Sequence, residues 1–299
     1  MIKVLMLVPL WKRPEIVKLF IERMRLTMPD NFELIPYFVI SEEDPFYKVL
    51  IKLTRGYKIF LYKNDPLGEK KNAALLHAMQ WDWDYIMDMG SDNLWISYLW
   101  YLYDEYLDVY EYFGIKNLHF IDIIQNRACY LEGYHLDVND NITALGVGRC
   151  VHRDIINDIK EPWRNNWNHG MDGCSHHKIT QAGYNCTVID NGEVPTILDV
   201  KTATNLNLYI DIVNGAIEIK PRLIYEWFGL NQFNIYNSDF TELTTFNGFR
   251  DEVVKARNYF ENQEKAFNAI NTTYEIGFGE KRYKNYRVYL TQQTKQAKK

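Results

Sequence analysis

Residues 85–95, YIMDMGSDNLW, hold the first residues whose types and spacing suit chemistry. An apolar run reaches Asp88, then Gly90, Ser91, Asp92 and Asn93 form a small polar turn, and the chain becomes apolar again at Leu94 and Trp95. A carboxylate at the end of a buried strand is placed to hold a hard divalent ion. Mg²⁺ is commonly held by one or two carboxylates plus the phosphates of a substrate, so Asp92 suffices if a diphosphate supplies the other oxygens. The same four residue types are also what an ordinary turn uses. A second carboxylate, Asp172, follows Gly170 at the start of a helix-like stretch. There it would serve as the base that takes a proton from an attacking hydroxyl, or as a helix N-cap, or as both.

Other residues widen the inventory. Arg13, Lys70 and Lys71 are the basic candidates for a phosphate. Arg is suited by its planar fork, and the lysines have a solvated helix face as the plain alternative. Trp163 and Trp167 flank Asp172 and would either stack on a sugar or pack beneath their loop. His169, His176, His177 and Cys174 invite a zinc reading, but adjacent His176 and His177 diverge by about 100° on a helix and do not share a metal.

The elements that must position these groups are legible in the first 95 residues. Apolar runs at 3–8, 33–40, 57–62 and 84–89 read as strands. Pro14 and Glu15 open one helix, and 69–79 reads as another. This alternation predicts an α/β fold with a mostly parallel sheet sandwiched by helices, and ligands at the strands' carboxyl ends. Beyond it, a four-turn amphipathic helix is expected at 96–113 and strands at 117–124, 127–133 and 143–148. A short helix is expected at 151–159, a polar loop at 161–171 and a helix at about 172–182. A strand at 186–190 and an extended stretch at 194–201 complete that part. The last hundred residues show one clear helix, 250–270.

Composition bounds the function. The 299 residues are 47 % hydrophobic and 24 % charged, with a net charge of −5. That is a globular composition with no overall pull toward nucleic acid or anionic lipid. Residues 281–299, however, carry seven Lys or Arg and no acid. With Tyr283, Tyr286 and Tyr289 interleaved, this tail would suit a polyanion, or else be a solvated terminus. The four cysteines form no CxxC pair and read as free thiols of a reducing compartment. No apolar run suits a signal peptide or a membrane span, so a cytoplasmic protein without an integral membrane segment is expected. The sequence leaves oligomeric state open.

Five stretches, in this order, resemble GT-A-fold glycosyltransferases of the GT2-like group. VPLWKRPEIV (8–17) is similar to the first strand and its loop, which places Pro9, Trp11 and Arg13 at the donor. FVISEED (38–44) is similar to the second strand, whose acidic end, Ser41 and Glu42, sits by the nucleotide base. NDPLGEKKNAALLHA (64–78) is similar to the Gly-x-x-x-Asn helix over the nucleotide, with Lys71 and Asn72. IMDMGSDNLW (86–95) is similar to the metal-binding DxD region. Here Gly90 and Ser91 line the donor, while Asp92 and Asn93 hold the metal. HGMDGCSHHKITQAGYNCTVID (169–190) is similar to the segment that supplies the catalytic base, matched by Asp172.

The pattern departs where Gly90, Asn93 and Met171 replace acids. The resemblance implies a third metal ligand beyond the base, with Asp199 and His169 as candidates, and Lys201 near the diphosphate. Trp163, Trp167 and His169 are expected at the acceptor. The GT-A domain would span 1–200, with 1–95 as its nucleotide-sugar half and 96–200 as its acceptor half. Residues 201–299 would form a smaller mixed or helical extension. The implied activity is metal-dependent (Mn²⁺ or Mg²⁺), inverting sugar transfer from a nucleotide-diphosphate sugar, UDP-linked in the first instance. The acceptor hydroxyl would belong to a glycan, a lipid-linked group or a nucleic acid. A nucleotidyltransferase and a non-catalytic sugar- or nucleotide-binding protein are the competing readings. PLWKRP lacks the glycine that a phosphate loop after strand one would want.

Overall fold

The computed structural model describes residues 1–123, 125–135, 142–192, 194–202, 216–228 and 230. The helix expected at 250–270 and the basic tail lie outside them. The chain begins β1 (Lys3–Pro9), α1 (Pro14–Leu26), β2 (Glu33–Ile40), α2 (Tyr47–Leu53), β3 (Lys58–Leu61), α3 (Leu67–Ala78) and β4 (Tyr85–Asp88). Next come β5 (Asn93–Trp95), α4 (Tyr98–Asp104), β6 (Tyr112–Ile115), β7 (Asn117–Asp122), β8 (Arg127–Glu132), β9 (Tyr134–His135) and β10 (Ile142–Thr143). Then follow β11 (Cys150–His152), α5 (Arg153–Ile159), α6 (Met171–Gln181), β12 (Thr187–Ile189), β13 (Ile197–Lys201), β14 (Ile217–Ile219) and α7 (Pro221–Phe228). Two compact units result: Met1–Leu118 with Glu132–Asn191, and His119–Leu131 with the chain from Gly192 onward.

The first unit is an α/β layer structure around a seven-stranded sheet in the order β12-β6-β11-β4-β1-β2-β3. β1 pairs in parallel with β2 and with β4, and β2 pairs in parallel with β3. β1 is buried from Val4 to Val8, as a strand covered on both faces must be. Helix α1 starts with Pro14, whose fixed φ suits the first turn, and buries Ile16, Val17, Phe20, Ile21 and Met24. Each such side chain contributes about 1.5–3 kcal/mol when fully withdrawn from water. The chain runs outward from β1 to β2 to β3, then returns to the other side of β1 as β4. The topological switch point therefore lies between β1 and β4, and in open α/β sheets ligands bind at that point, beyond the strands' carboxyl ends.

Two stretches differ from expectation. The helix expected at 96–113 is only α4. Asp108 adopts a left-handed conformation (φ 69°), and Tyr112 and Phe113 leave the helical register to pair with β11 as a central strand. The strand expected at 143–148 is β10 alone. Residues 144–148 instead curl around Arg149, whose guanidinium takes the carbonyls of Ala144 and Leu145. β11 runs antiparallel to both β4 and β6, and the sheet is otherwise parallel, in line with the mostly parallel sheet expected. In addition, α2 and β5 had no clear signal in the sequence.

In the second unit, β13 runs parallel to β7 from His119 to Asp122, and β14 runs antiparallel to β8. His119 is buried against Tyr130 and Trp227. Burial pushes its imidazole down to about 3, so the ring is neutral.

Candidate active site

The two loops at the switch point meet through one side chain. Lys12 and Arg13 both adopt left-handed backbone (φ 57° and 52°), a conformation costly for non-glycine residues and concentrated at functional sites. Lys12 N–H donates to Asp44 Oδ2 at 2.5 Å, while Asp44 Oδ1 accepts from Phe46 N at 2.8 Å. The buried Asp44 carboxylate thus holds the twist. The twist turns the Arg13 guanidinium across to the β4 loop. There Nη1 donates to Asp92 Oδ2 at 3.0 Å and Nη2 to Ser91 Oγ at 3.3 Å. Arg13 Nε is buried without a hydrogen-bond partner.

The β4 loop is built tightly. Gly90 N–H donates to Asn93 Oδ1 at 2.7 Å, and Asn93 N–H to Gly90 O at 3.1 Å. A Cβ on Gly90 would meet Asn93 Oδ1 at 2.6 Å and Asp92 Oδ1 at 2.7 Å. Glycine at position 90 lets both side chains fold over the backbone.

Behind this loop lies a second pair of charges. Lys71 Nζ meets Asp88 Oδ2 at 2.5 Å, and both are largely buried. Burial pushes the Asp88 carboxyl up, Lys71 pulls it down, and the charge of Asp172 pushes it up further. That last effect puts Asp172 in the same electrostatic neighbourhood. Asp172 stands in the first turn of α6, after Gly170 in left-handed backbone. Asp88, Gly146, Arg149, Trp163 and Ser175 border a cavity of about 20 Å³, room for about a single water.

The 161–168 loop covers the start of α3. Gly68 N–H donates to Trp167 O at 2.9 Å and Leu67 N–H to Asn168 Oδ1 at 2.7 Å. Asn72 Nδ2 donates to Trp163 O and to Asn165 Oδ1, each at 2.7 Å. Trp163 is buried with Lys71 Nζ 4.8 Å from its ring centre, whereas Trp167 is exposed beside the Arg164 guanidinium.

The sequence-read residues thus fall into groups. Arg13, Ser91 and Asp92 are in direct contact, with Gly90 and Asn93 in the same turn. Pro9 ends β1, and Trp11 lies half-buried in the loop that follows. Ser41 is fully buried and accepts from Lys70 Nζ at 3.2 Å, while Glu42 is exposed. Lys71 is paired with Asp88, Asn72 ties down the 161–168 loop, and His169 is exposed. Asp199 lies in the second unit, with Lys201 Nζ at 3.0 Å from Oδ2.

Two contributors were missed by the sequence reading. Asp44 carries a faint signal as an Asp-Pro turn former. Arg149 carries none, because an isolated arginine does not reveal which carbonyls it will gather.

Among the described residues, no group of three or more His, Cys, Asp or Glu side chains gathers to hold a metal ion. The donor set at the turn is the Asp92 carboxylate, with Asn93 Oδ1 engaged by Gly90 N–H. Such a set suits a hard cation held jointly with a diphosphate rather than by protein alone.

No family model and no curated protein sequence matches this chain. Among solved structures it is similar to S. aureus TarS 1–349 in complex with UDP-GlcNAc. There the identity is 13 %, covering 89 % of this chain and 83 % of that one, with a TM-score of 0.49. It is also similar to the mannosyltransferase PcManGT from Pyrobaculum calidifontis in complex with GDP-Man and Mn²⁺. That match has 11 % identity, covers 98 % and 83 %, and has a TM-score of 0.47.

Proposed function

We propose that this chain is a GT-A-type glycosyltransferase that moves a sugar from a nucleotide-diphosphate sugar to an acceptor hydroxyl with inversion. The observation that carries this reading is the convergence at the switch point. Arg13, Ser91 and Asp92 meet beyond β1 and β4, and the Asp172 carboxylate lies against Gly146, which borders one small cavity with Asp88.

The diphosphate lies along the Arg13 side of the switch point. A guanidinium that now faces a carboxylate is matched in charge and geometry to phosphate oxygens. When bound, a divalent ion on Asp92 would supply charge neutralisation for the departing diphosphate. Asp172 accepts the hydroxyl proton as that oxygen bonds to the anomeric carbon. The sugar–phosphate bond breaks and the nucleoside diphosphate leaves. An exposed Trp167, next to the first turn of α6, offers an aromatic face for the acceptor. A UDP-linked donor and a glycan, lipid-linked or nucleic-acid acceptor are the classes to try first.

The test is turnover of a UDP- and GDP-sugar panel with Mn²⁺ present. Asp172→Asn should lower the rate of nucleoside diphosphate release about 10²–10⁴-fold, the usual contribution of a general base. UDP affinity, measured by calorimetry, should be unchanged. Equal loss of rate and UDP affinity would sink the assignment of Asp172. Release of pyrophosphate instead of nucleoside diphosphate would overturn sugar transfer.

A further inference from the structure

The Asp172 carboxylate lies directly against the Cα of Gly146. A Cβ built on Gly146 would stand 1.9 Å from Asp172 Cγ, 2.0 Å from Oδ1 and 2.3 Å from Oδ2. Every side chain larger than hydrogen would therefore occupy the place of the carboxylate. The loop that carries Gly146 is in turn bolted to the first turn of α6 by Arg149. Its fully withdrawn guanidinium donates from Nη1 to Asp172 O at 2.8 Å and to Ser175 Oγ at 3.1 Å. From Nη2 it donates to Ala144 O at 2.7 Å and from Nε to Leu145 O at 3.1 Å. Ser175 Oγ also donates to Asp172 O at 3.1 Å. One arginine thus fixes both sides of the contact, the backbone at residues 144–145 and the backbone at 172.

We infer that Gly146 is a positioning residue for the base: its bare Cα is the seat that sets where the Asp172 carboxylate points, and Arg149 holds seat and carboxylate in register. This rests on the reading of Asp172 as base. A plain packing role predicts something different. The atoms that an added Cβ meets first are the far end of one short side chain, not backbone. A Gly146→Ala chain can therefore fold by turning Asp172 to another rotamer. Folding is spared while aim is lost, and a displacement of about 1 Å at a reacting group costs on the order of 10²-fold in rate.

Gly146→Ala, Asp172→Asn, Asp172→Ala and the Gly146→Ala/Asp172→Ala double variant separate the possibilities. The readouts are nucleoside diphosphate release from UDP-glucose and GDP-mannose with Mn²⁺, UDP affinity by calorimetry, thermal midpoint, and a crystal structure of Gly146→Ala. The expected result is a folded Gly146→Ala protein with unchanged UDP affinity and a kcat reduced about 10²-fold. Its structure should show the Asp172 carboxylate rotated off residue 146. In the Asp172→Ala background, Gly146→Ala should cost nothing more, because residues acting as a unit are not additive. A Gly146→Ala rate within about threefold of wild type, or an independent loss in the Asp172→Ala background, would overturn the inference. So would an unmoved carboxylate in the crystal structure. Failure of the base assignment is distinguishable: there, Asp172→Asn itself retains full rate.

Discussion

At the residue scale, two acid–base pairs stand at the site. Arg13 faces Asp92, and Lys71 faces Asp88. The two pairs differ in consequence. Arg13 and Asp92 join the loops that follow β1 and β4, so Arg13→Gln should weaken UDP binding about 10- to 100-fold, the worth of charge-assisted hydrogen bonds. Both side chains are largely buried, so the same variant should also lower the thermal midpoint by leaving Asp92 without its cation. Lys71 and Asp88 are buried to a similar degree. Lys71→Met would leave a buried carboxylate without its cation and should cost about 3–5 kcal/mol of stability, read in urea unfolding. The sequence singles out Asp92 and Asp172 by placement alone, Asp92 after Ser91 at the end of an apolar run and Asp172 two residues after Gly170 at the start of a helical pattern. Asn93 and Asn72 had the right neighbourhood, but their amides also bond backbone groups nearby, Gly90 N–H and Trp163 O. Sequence does not reveal such local partners. Gly146 was invisible for a related reason, since its importance depends on a carboxylate 26 positions later in the chain.

At the scale of elements, the site depends on two loops and on how α3 is capped. A Cβ on Gly68 would meet the carbonyl oxygen of Arg164 at 1.9 Å. That atom is backbone and does not swing away. Gly68→Ala should therefore push the 161–168 loop off α3 at a cost of about 1–3 kcal/mol. Limited proteolysis should then cut within 161–168, which the wild type protects. The parallel strands were readable because each is a short apolar run bounded by polar turns. α4 and β6 were not, because a Tyr-rich stretch satisfies both a helical and a strand pattern. Pairing with β11 decided between them, and that is a contact of nearly forty residues' separation.

At the scale of the whole molecule, the parallel core draws the carboxyl ends of β1 and β2 together around one buried amine. Lys70 Nζ donates to Leu10 O at 2.7 Å, Ser41 Oγ at 3.2 Å and Asn64 Oδ1 at 3.1 Å. Burial pushes its ammonium down to about 8 from the ordinary 10.5, with Asp44 and Glu43 opposing. Between those values the unfolded chain binds more protons than the folded one, so this group's contribution to stability rises with pH across that window. Urea midpoints from pH 8 to pH 10 should carry that upward component in wild type and lack it in Lys70→Met. No described helix is long and apolar enough to cross a membrane.

The central claim is that the switch point between β1 and β4 seats the diphosphate of the donor, with a divalent ion at Asp92. A crystal structure with UDP and Mn²⁺ tests it most directly. A manganese anomalous peak is expected against the Asp92 carboxylate, with diphosphate oxygens on the Arg13 guanidinium. Nucleotide bound away from the carboxyl ends of β1 and β4, or manganese bound away from Asp92, would contradict it.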